Sequence, residues 1–250
     1  MATDGAERHL RERAAVFGRV ADAYERARPD YPPQAVPWLV GPAPRRVLDL
    51  GAGTGKLTRA LVAAGHDVAA VDPAAAMLDT LRGGLPGVDA RKGSAEALPL
   101  PDADVDVVVV AQAFHWFDPD RALPEIARVL RPGGRLGLVW NIRDETVQWV
   151  ADLSAVAGSL DALPADVVES RLAAQEWFGE PEATTFPFVQ RLDRNTLLSL
   201  VESRSYVAIR PPQERAAIHA EVRRLYERHA SPDGLDLPYT THCYRAHRSS

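Results

Sequence analysis

The chain of 250 residues contains a single cysteine, Cys243. A lone cysteine excludes an intrachain disulfide and a metal site built on paired cysteines, and it fits a reducing compartment. The sequence also lacks an apolar run of about 18 residues, which a membrane-spanning helix would need. Residues 1–17 carry six charged side chains and therefore lack the apolar stretch of a secretion signal. We expect a cytoplasmic protein with no membrane partner.

An excess of positive charge is also missing, because the formal net charge is −5. A nucleic-acid-binding protein needs a broad cationic surface to neutralise phosphates. We therefore expect no nucleic-acid partner. The histidines and acidic residues show no metal-ligand spacing, so we expect no metal site. The sequence does not distinguish a monomer from a small homo-oligomer.

The remaining composition is that of an ordinary globular protein, with 46% hydrophobic and 25% charged residues. A chain of this length can bury one full core, so residues 1–250 are expected to form a single domain. Within it we distinguish a core at about 40–143, an N-terminal cover segment at 1–39 and a helical cap insertion at about 144–180. The core alternates short apolar runs with helical spacing, which is typical of βαβ units and a parallel sheet.

The periodicity predicts individual elements along the whole chain. Residues 105–111 form the clearest strand, since five valines in seven positions are typical of a central strand buried on both faces. The other strands are predicted at 47–50, 68–71, 88–92, 135–140, 186–190 and 239–244, with a turn at 132–134. Helices are predicted at 56–64, 119–130, 194–204 and 211–229, after Asp72, and within 144–178.

A glycine loop follows the first strand, with Gly51, Gly53 and Gly55 directly before a helix. Such glycines allow a tight turn and close backbone approach, while N–H groups at the helix start face a ligand. Asp72 lies 21 residues after Gly51, at the end of the second strand, where a carboxylate can accept both hydroxyls of a ribose. The alternative is a structural aspartate that caps a helix.

The loop does not fit the phosphate-binding motifs. Lys56 stands where a dinucleotide loop needs its third glycine, and Leu57 stands where a mononucleotide loop needs serine or threonine. Asp49 would repel a pyrophosphate but attract an ammonium or sulfonium group. S-adenosylmethionine carries both cationic groups and an unphosphorylated ribose, so it suits Asp49 and Asp72 together.

Four segments in order resemble the motifs of class I S-adenosylmethionine-dependent methyltransferases. Residues 47–55 resemble motif I, 71–73 with Met77 and Leu78 the next motif, 93–99 the loop around the adenine, and 130–134 the turn before the fifth strand. The resemblance covers residues 14–143. It implies an α/β, Rossmann-like methyltransferase fold: a doubly wound, mostly parallel seven-stranded sheet with an antiparallel last strand and a helical cap.

The resemblance also implies which residues bind S-adenosylmethionine and its product S-adenosylhomocysteine. Asp49 would lie near the methionine ammonium, Asp72 on the ribose, and Pro73 and Met77 beside the adenine. The remaining contacts would come from Gly51, Ala52, Gly53, Gly55, Ala95, Ala111 and Gln112. Many relatives have aspartate where this chain has Ser94, so the adenine amino group would bond to Ser94 or to Glu96.

Two further residues, Tyr24 and Arg28, lie in a segment that could fold over the cofactor. There the Arg28 guanidinium could fork onto the methionine carboxylate. A solvated surface arginine is the alternative.

The substrate side is expected at residues 111–118, which follow the valine strand at the ligand edge of the sheet. This run resembles a subgroup that includes trans-aconitate methyltransferases, which implies methyl transfer to an oxygen or nitrogen of a small metabolite, with acidic metabolites among the candidates. His115 could serve as a catalytic base for a hydroxyl or amine, or be a packed histidine. Trp116 could line the substrate or belong to the core. Arg143 and Arg204 could clamp an acidic substrate or be ordinary surface charges, as most arginines are.

Two other functions remain open. No residue is unmistakably catalytic, so a non-catalytic S-adenosylmethionine-binding module is an alternative. A nicotinamide-dependent oxidoreductase is a third, although Lys56 and Asp49 conflict with it.

Overall fold

The computed structural model describes residues 27–158, 165–173, 175–204, 207 and 209–249. The strands in these ranges are β1 Arg46–Leu50, β2 Asp67–Asp72, β3 Asp89–Lys92, β4 Val105–Ala111, β5 Leu130–Arg143, β6 Glu182–Leu192 and β7 Leu235–His247. The α-helices are α1 Ala35–Val40, α2 Lys56–Ala63, α3 Ala75–Gly84, α4 Pro119–Val129, α5 Gln148–Ala157, α6 Ala165–Ala173, α7 Arg194–Glu202 and α8 Pro212–His229.

The strands form a seven-stranded sheet in the order β3-β2-β1-β4-β5-β7-β6. Strands β1 to β5 are paired in parallel, and β7 runs antiparallel to both β5 and β6. The order reverses at β1 and β4, and ligand crevices in such sheets lie at the carboxyl ends of the strands on either side of that point. The predicted fold class, including the antiparallel last strand, is confirmed.

The central strand β4 is buried on both faces. Val107 and Val109 pack in one apolar cluster with α1 and α2, while Val108 and Val110 pack in another with α4. This is the arrangement that the continuous valine run predicts for a strand between two helical layers. The predicted bounds of β4, 105–111, are those of the structure.

A third apolar cluster joins α5, α7 and α8 to β7. Its members include Leu153, Leu200 and Leu225 from the three helices and Leu237 from the strand. The other helix of the 144–178 region, α6, packs its Val168 into the cluster around α4 instead. Within the described ranges, no helix is long and apolar enough to cross a membrane.

Three strands are longer than the sequence pattern predicts. The turn expected at 132–134 lies inside β5, because Leu130 already pairs with Val105 before a register shift in β4. Strands β6 and β7 extend their predicted cores at both ends through a ladder of backbone pairs from Glu182 with Arg245 to Leu192 with Leu235. Many β6 side chains are exposed or half-buried, so they do not show the apolar run by which a strand is recognised.

Candidate active site

The glycine loop after β1 has a conformation that requires glycine. Gly51, Gly53 and Gly55 have φ angles of +74°, +56° and +90°, in the left-handed region that other residues rarely adopt. A Cβ on Gly51 would lie 2.7 Å from Ala113 Cβ, and one on Gly55 would lie 2.9 Å from Leu81 Cγ. A Cβ on Gly53 would meet no atom of the described chain within 4 Å. The loop therefore packs closely against Ala113 at Gly51 and against α3 at Gly55. At Gly53 it has an open side, where no described atom is near.

Most backbone N–H groups of the loop are bonded within the protein. Gly51 and Ala52 donate to the Val71 carbonyl at 2.8 and 3.1 Å, Gly55 donates to the Ala52 carbonyl, and Gly53 donates to Asp72 Oδ2 at 2.9 Å. The expectation of N–H groups facing a ligand therefore does not extend to these four residues. These four N–H groups are therefore not free to converge on a phosphate, as the donors of a phosphate-binding nest do.

Asp72, at the end of β2, holds the glycine loop by accepting the Gly53 N–H on Oδ2. Its second carboxylate oxygen, Oδ1, accepts the N–H of Ala74, the residue before α3, at 2.8 Å, so Asp72 orders the turn into the helix but is not its N-cap. Burial raises the pKa of Asp72, against the two N–H bonds that lower it. Each oxygen keeps lone-pair capacity for a further donor. Beside it, Pro73 is exposed and Met77 is buried.

Asp49, in β1, is fully buried beside the loop. The Thr58 hydroxyl donates to its Oδ2 at 2.6 Å, while Oδ1 has no hydrogen-bond partner in the described part of the chain. The pKa of Asp49 is raised to about 7, first by burial and also by the nearby charge of Asp72, against the hydrogen bonds from Thr58. Among the described residues neither carboxylate forms an ion pair, so this site attracts a cation rather than an anion.

The raised pKa of Asp49 predicts a pH-dependent stability of the protein. The folded carboxyl holds its proton up to pH about 7, whereas the unfolded one loses it near 3.8. The folded state therefore binds the extra proton between these values, and the free energy of unfolding falls as pH rises through this window, by at most about 1.4 kcal/mol per pH unit. Denaturant titrations at about pH 5 and about pH 8 should show the wild type losing at least about 1 kcal/mol relative to Asp49→Asn. If the free energies of unfolding of the wild type and Asp49→Asn differ by the same amount at both pH values, the raised pKa of Asp49 is contradicted.

The segment after β3 connects the adenine-side motif to the aromatic segment. Ser94 and Ala97 form an isolated backbone bridge, and Ala95 between them is buried. Glu96 Oε1 accepts the backbone N–H of Asp118 at 3.1 Å. One Glu96 oxygen is therefore bonded to the backbone that follows the aromatic run. The adenine contact expected of Ser94 or Glu96 stays a prediction.

The aromatic run after β4 forms a short 3₁₀ helix, Phe114–Trp116. The rings of His115 and Trp116 lie 4.3 Å apart between centroids, and both residues are half-buried. Trp116 and Phe117 pack against the apolar cluster around α4, as the core interpretation predicts. Phe117 also borders the glycine loop, since a Cβ on Gly51 would lie 3.7 Å from its Cζ.

A cavity with an empty volume of about 350 Å³ opens at the carboxyl ends of β4 and β5, beside the loop. Three positively charged side chains line it, from Arg28, Lys56 and Arg204. Four uncharged polar residues, Tyr31, Gln112, Asn141 and Tyr239, and two apolar ones, Pro29 and Leu200, complete the lining.

A hydrogen-bond network fastens the chain before α1 over this cavity. Asn141 is buried, donates to the Asp30 carbonyl at 3.1 Å and accepts from the Thr241 hydroxyl at 2.7 Å. Gln112 donates to the Asn141 carbonyl at 3.3 Å and has a φ of +56°, which is uncommon outside glycine. Lys56 pairs with the Asp30 carboxylate at 3.2 Å. Asp30, before α1, is therefore held to Asn141 near the end of β5 and to Lys56 after the glycine loop.

The three arginines that the sequence singled out differ in placement. Arg28 donates to the hydroxyl of Ser203 at 2.9 Å and to its carbonyl at 3.3 Å. Arg143 is buried and donates to the Gly158 carbonyl; it is not among the residues that line the cavity. Arg204 is buried as well and lines the cavity. The interpretation of Arg143 and Arg204 as ordinary surface charges is therefore wrong.

Sequence reasoning gave no binding role to six of the nine residues in the cavity wall, among them Asn141 and Tyr239. Asn141 directly follows the strand predicted at 135–140, so the rule that placed residues 111–118 at the ligand edge could also have identified it. Tyr239 gives no such signal, because it enters from an antiparallel strand. Tyr24 lies outside the described residues.

Residues 48–138 match the family described as a methyltransferase domain. The chain is 50% identical to an uncharacterized methyltransferase of Mycobacterium tuberculosis over 94% of this chain and 97% of that protein. It is 38% identical to an uncharacterized methyltransferase-like protein of Schizosaccharomyces pombe, over 92% and 93% of the two chains. A solved structure from Anaeromyxobacter dehalogenans, described as a candidate type II methyltransferase, superimposes with a TM-score of 0.62 at 30% identity and covers 88% of this chain and 97% of its own.

Proposed function

Because the chain belongs to the methyltransferase family, we propose that it transfers a methyl group from S-adenosylmethionine to an oxygen or nitrogen of a small metabolite. The observation that carries this proposal is the pair of buried carboxylates at the glycine loop. Asp49 and Asp72 form no ion pair within the described ranges, and the N–H groups of four loop residues are already bonded. A cationic adenosine cofactor suits this charge, whereas a pyrophosphate does not.

The fit to this cofactor can be assigned residue by residue. The spare lone pairs of Asp72 would accept the ribose hydroxyls, and the orphaned Oδ1 of Asp49 would attract the methionine ammonium. The open side of Gly53 leaves room for close approach of the ligand to the backbone. Pro73 and Met77 would border the adenine. When bound, the cofactor supplies a methyl carbon whose bonding electrons leave with its sulfonium sulfur.

The protein's own contribution would be to position the acceptor and exclude water. The cavity lies next to the glycine loop, because two of its lining residues are neighbours of the loop in sequence or space. Lys56 directly follows Gly55, and Gln112 directly precedes Ala113, which packs against Gly51. Positioning of two reactants in such a space can supply much of the rate of a displacement reaction. An acceptor hydroxyl or amine would need a base, for which His115 is the candidate, whereas a carboxylate would need none.

The proposal is tested by a screen of carboxylates, phenols and amines with S-adenosylmethionine, with release of S-adenosylhomocysteine and the mass of the product as readouts. We expect methylated product from at least one class with the wild type, and none above background with Asp72→Ala. Binding of the cofactor without methylation of any class would instead indicate a binding module.

A further inference from the structure

The charged side chains that line the cavity beside the loop all have the same sign. The cavity's nine lining residues include the cations Arg28, Lys56 and Arg204 and no carboxylate. The acidic Asp30, which pairs with Lys56, projects its side chain mainly to solvent, at 82% exposure. The described lining therefore carries positive charge, which is opposite to that of the carboxylates at the loop.

Tyr239 adds an oriented polar group to this wall. Its side chain is 2% exposed, and its hydroxyl has no hydrogen-bond partner among the residues that the structure describes. Stacking on Phe188, with ring centroids 5.1 Å apart and planes 9° apart, fixes the ring. A buried hydroxyl without a partner is costly unless a ligand satisfies it.

Arg28 and Arg204 line the same cavity as this hydroxyl. Arg143 pairs directly with Tyr239 in the register of β5 and β7, so the two side chains share one face of the sheet. Burial raises the pKa of Tyr239, and the charges of Arg204, Arg143 and Arg28 oppose that rise. Guanidinium and phenol donors around one cavity are suited to a planar oxyanion.

We propose that this cavity seats the methyl acceptor by a carboxylate, which Arg204 and Arg28 bind and to which the Tyr239 hydroxyl donates a hydrogen bond. This inference rests on the proposed methyltransferase function. It makes the acceptor a small carboxylic acid and makes Arg204 and Tyr239 its specificity-determining residues. The methionine carboxylate of the cofactor is the other source of the same chemical group, so the test must separate the two.

The probes are acetate, succinate, benzoate and propane-1,2,3-tricarboxylate, each paired with its neutral amide. They are titrated by calorimetry into the full chain saturated with S-adenosylhomocysteine. We expect at least one acid to bind about tenfold or more tightly than its amide, as a charge-assisted hydrogen bond would give. Arg204→Gln should weaken that acid about tenfold or more, and Tyr239→Phe roughly three- to tenfold, while the affinity for S-adenosylhomocysteine stays unchanged.

The matched control is Arg210→Gln, because Arg210 is exposed and pairs with Glu214 on α8. It should leave acid binding unchanged. Tyr239→Phe preserves the ring and its stacking, so it tests the proposal even if Arg204→Gln fails to fold.

Two results would overturn the inference alone: acids that bind no better than their amides, or variants that weaken S-adenosylhomocysteine and leave the acids unaffected, which would assign the site to the cofactor carboxylate. A wild type that does not bind S-adenosylhomocysteine at all would instead remove the proposed function, and this inference with it.

Discussion

Replacement of Asp72 by alanine is expected to weaken the binding of S-adenosylmethionine about 100-fold, since hydrogen bonds to a charged group contribute about 1.5–3 kcal/mol each. The carboxylate would bind the ribose hydroxyls directly, and it also holds Gly53 and Ala74 by their N–H groups. The variant therefore loses both a ligand contact and the support of the glycine loop. Isothermal titration calorimetry with folded protein measures the change.

The matched control for this variant is Asp67→Ala, at the opposite end of the same strand. Asp67 is 67% exposed and pairs with Arg46, so its loss should cost little stability and leave cofactor affinity within about twofold. Equal affinities of Asp72→Ala and the wild type would exclude Asp72 from the binding site. Equal losses in both aspartate variants would indicate a general effect on the sheet.

Replacement of Gly51 by alanine should strongly destabilise the protein and abolish cofactor binding. The left-handed backbone costs an alanine roughly 1–2 kcal/mol, and the contact with Ala113 adds an overpacking cost of about 1–3 kcal/mol. The sum is a large part of the roughly 5–15 kcal/mol by which a typical domain is stable. Chemical denaturation and calorimetry together measure both effects.

Alanine variants at two other glycines distinguish the backbone cost of Gly51→Ala from the cost of its contact with Ala113. Gly133→Ala has the same φ of +74° but no atom within 4 Å of the added methyl among the described residues, so it should show the backbone cost alone. Gly53→Ala also meets no protein atom, yet its methyl would point into the open side of the loop. It should cost similar stability while weakening the cofactor roughly tenfold. Unchanged cofactor binding by Gly53→Ala would show that the ligand does not approach there.

The sequence predicted those parts of the fold in which local pattern and burial agree. The valine run of β4 is buried on both faces, and the glycine loop joins β1 to α2 at the expected residues. The charge argument from Asp49 also suits the structure, although its burial and its bond to Thr58 were not foreseen. The valine run and the glycine loop each lie within one short segment of the chain, so the spacing of their residues was enough to predict them.

The cavity could not be predicted in the same way, because its wall comes from distant parts of the chain. Arg28 and Ser203 are joined across the molecule, and Tyr239 reaches the cavity through an antiparallel strand. Arg204 follows α7, where no motif distinguishes a buried arginine from a surface one. Its place in the cavity wall follows only from the packing of α7 and β7 in one cluster.

The central claim is that the glycine loop, with Asp49 and Asp72, binds a cationic methyl donor. Calorimetric titration of the wild type with S-adenosylmethionine, S-adenosylhomocysteine and NADH in parallel tests it most directly. The account predicts saturable binding of the first two ligands and much weaker binding of NADH. Tighter binding of NADH than of S-adenosylmethionine would contradict it.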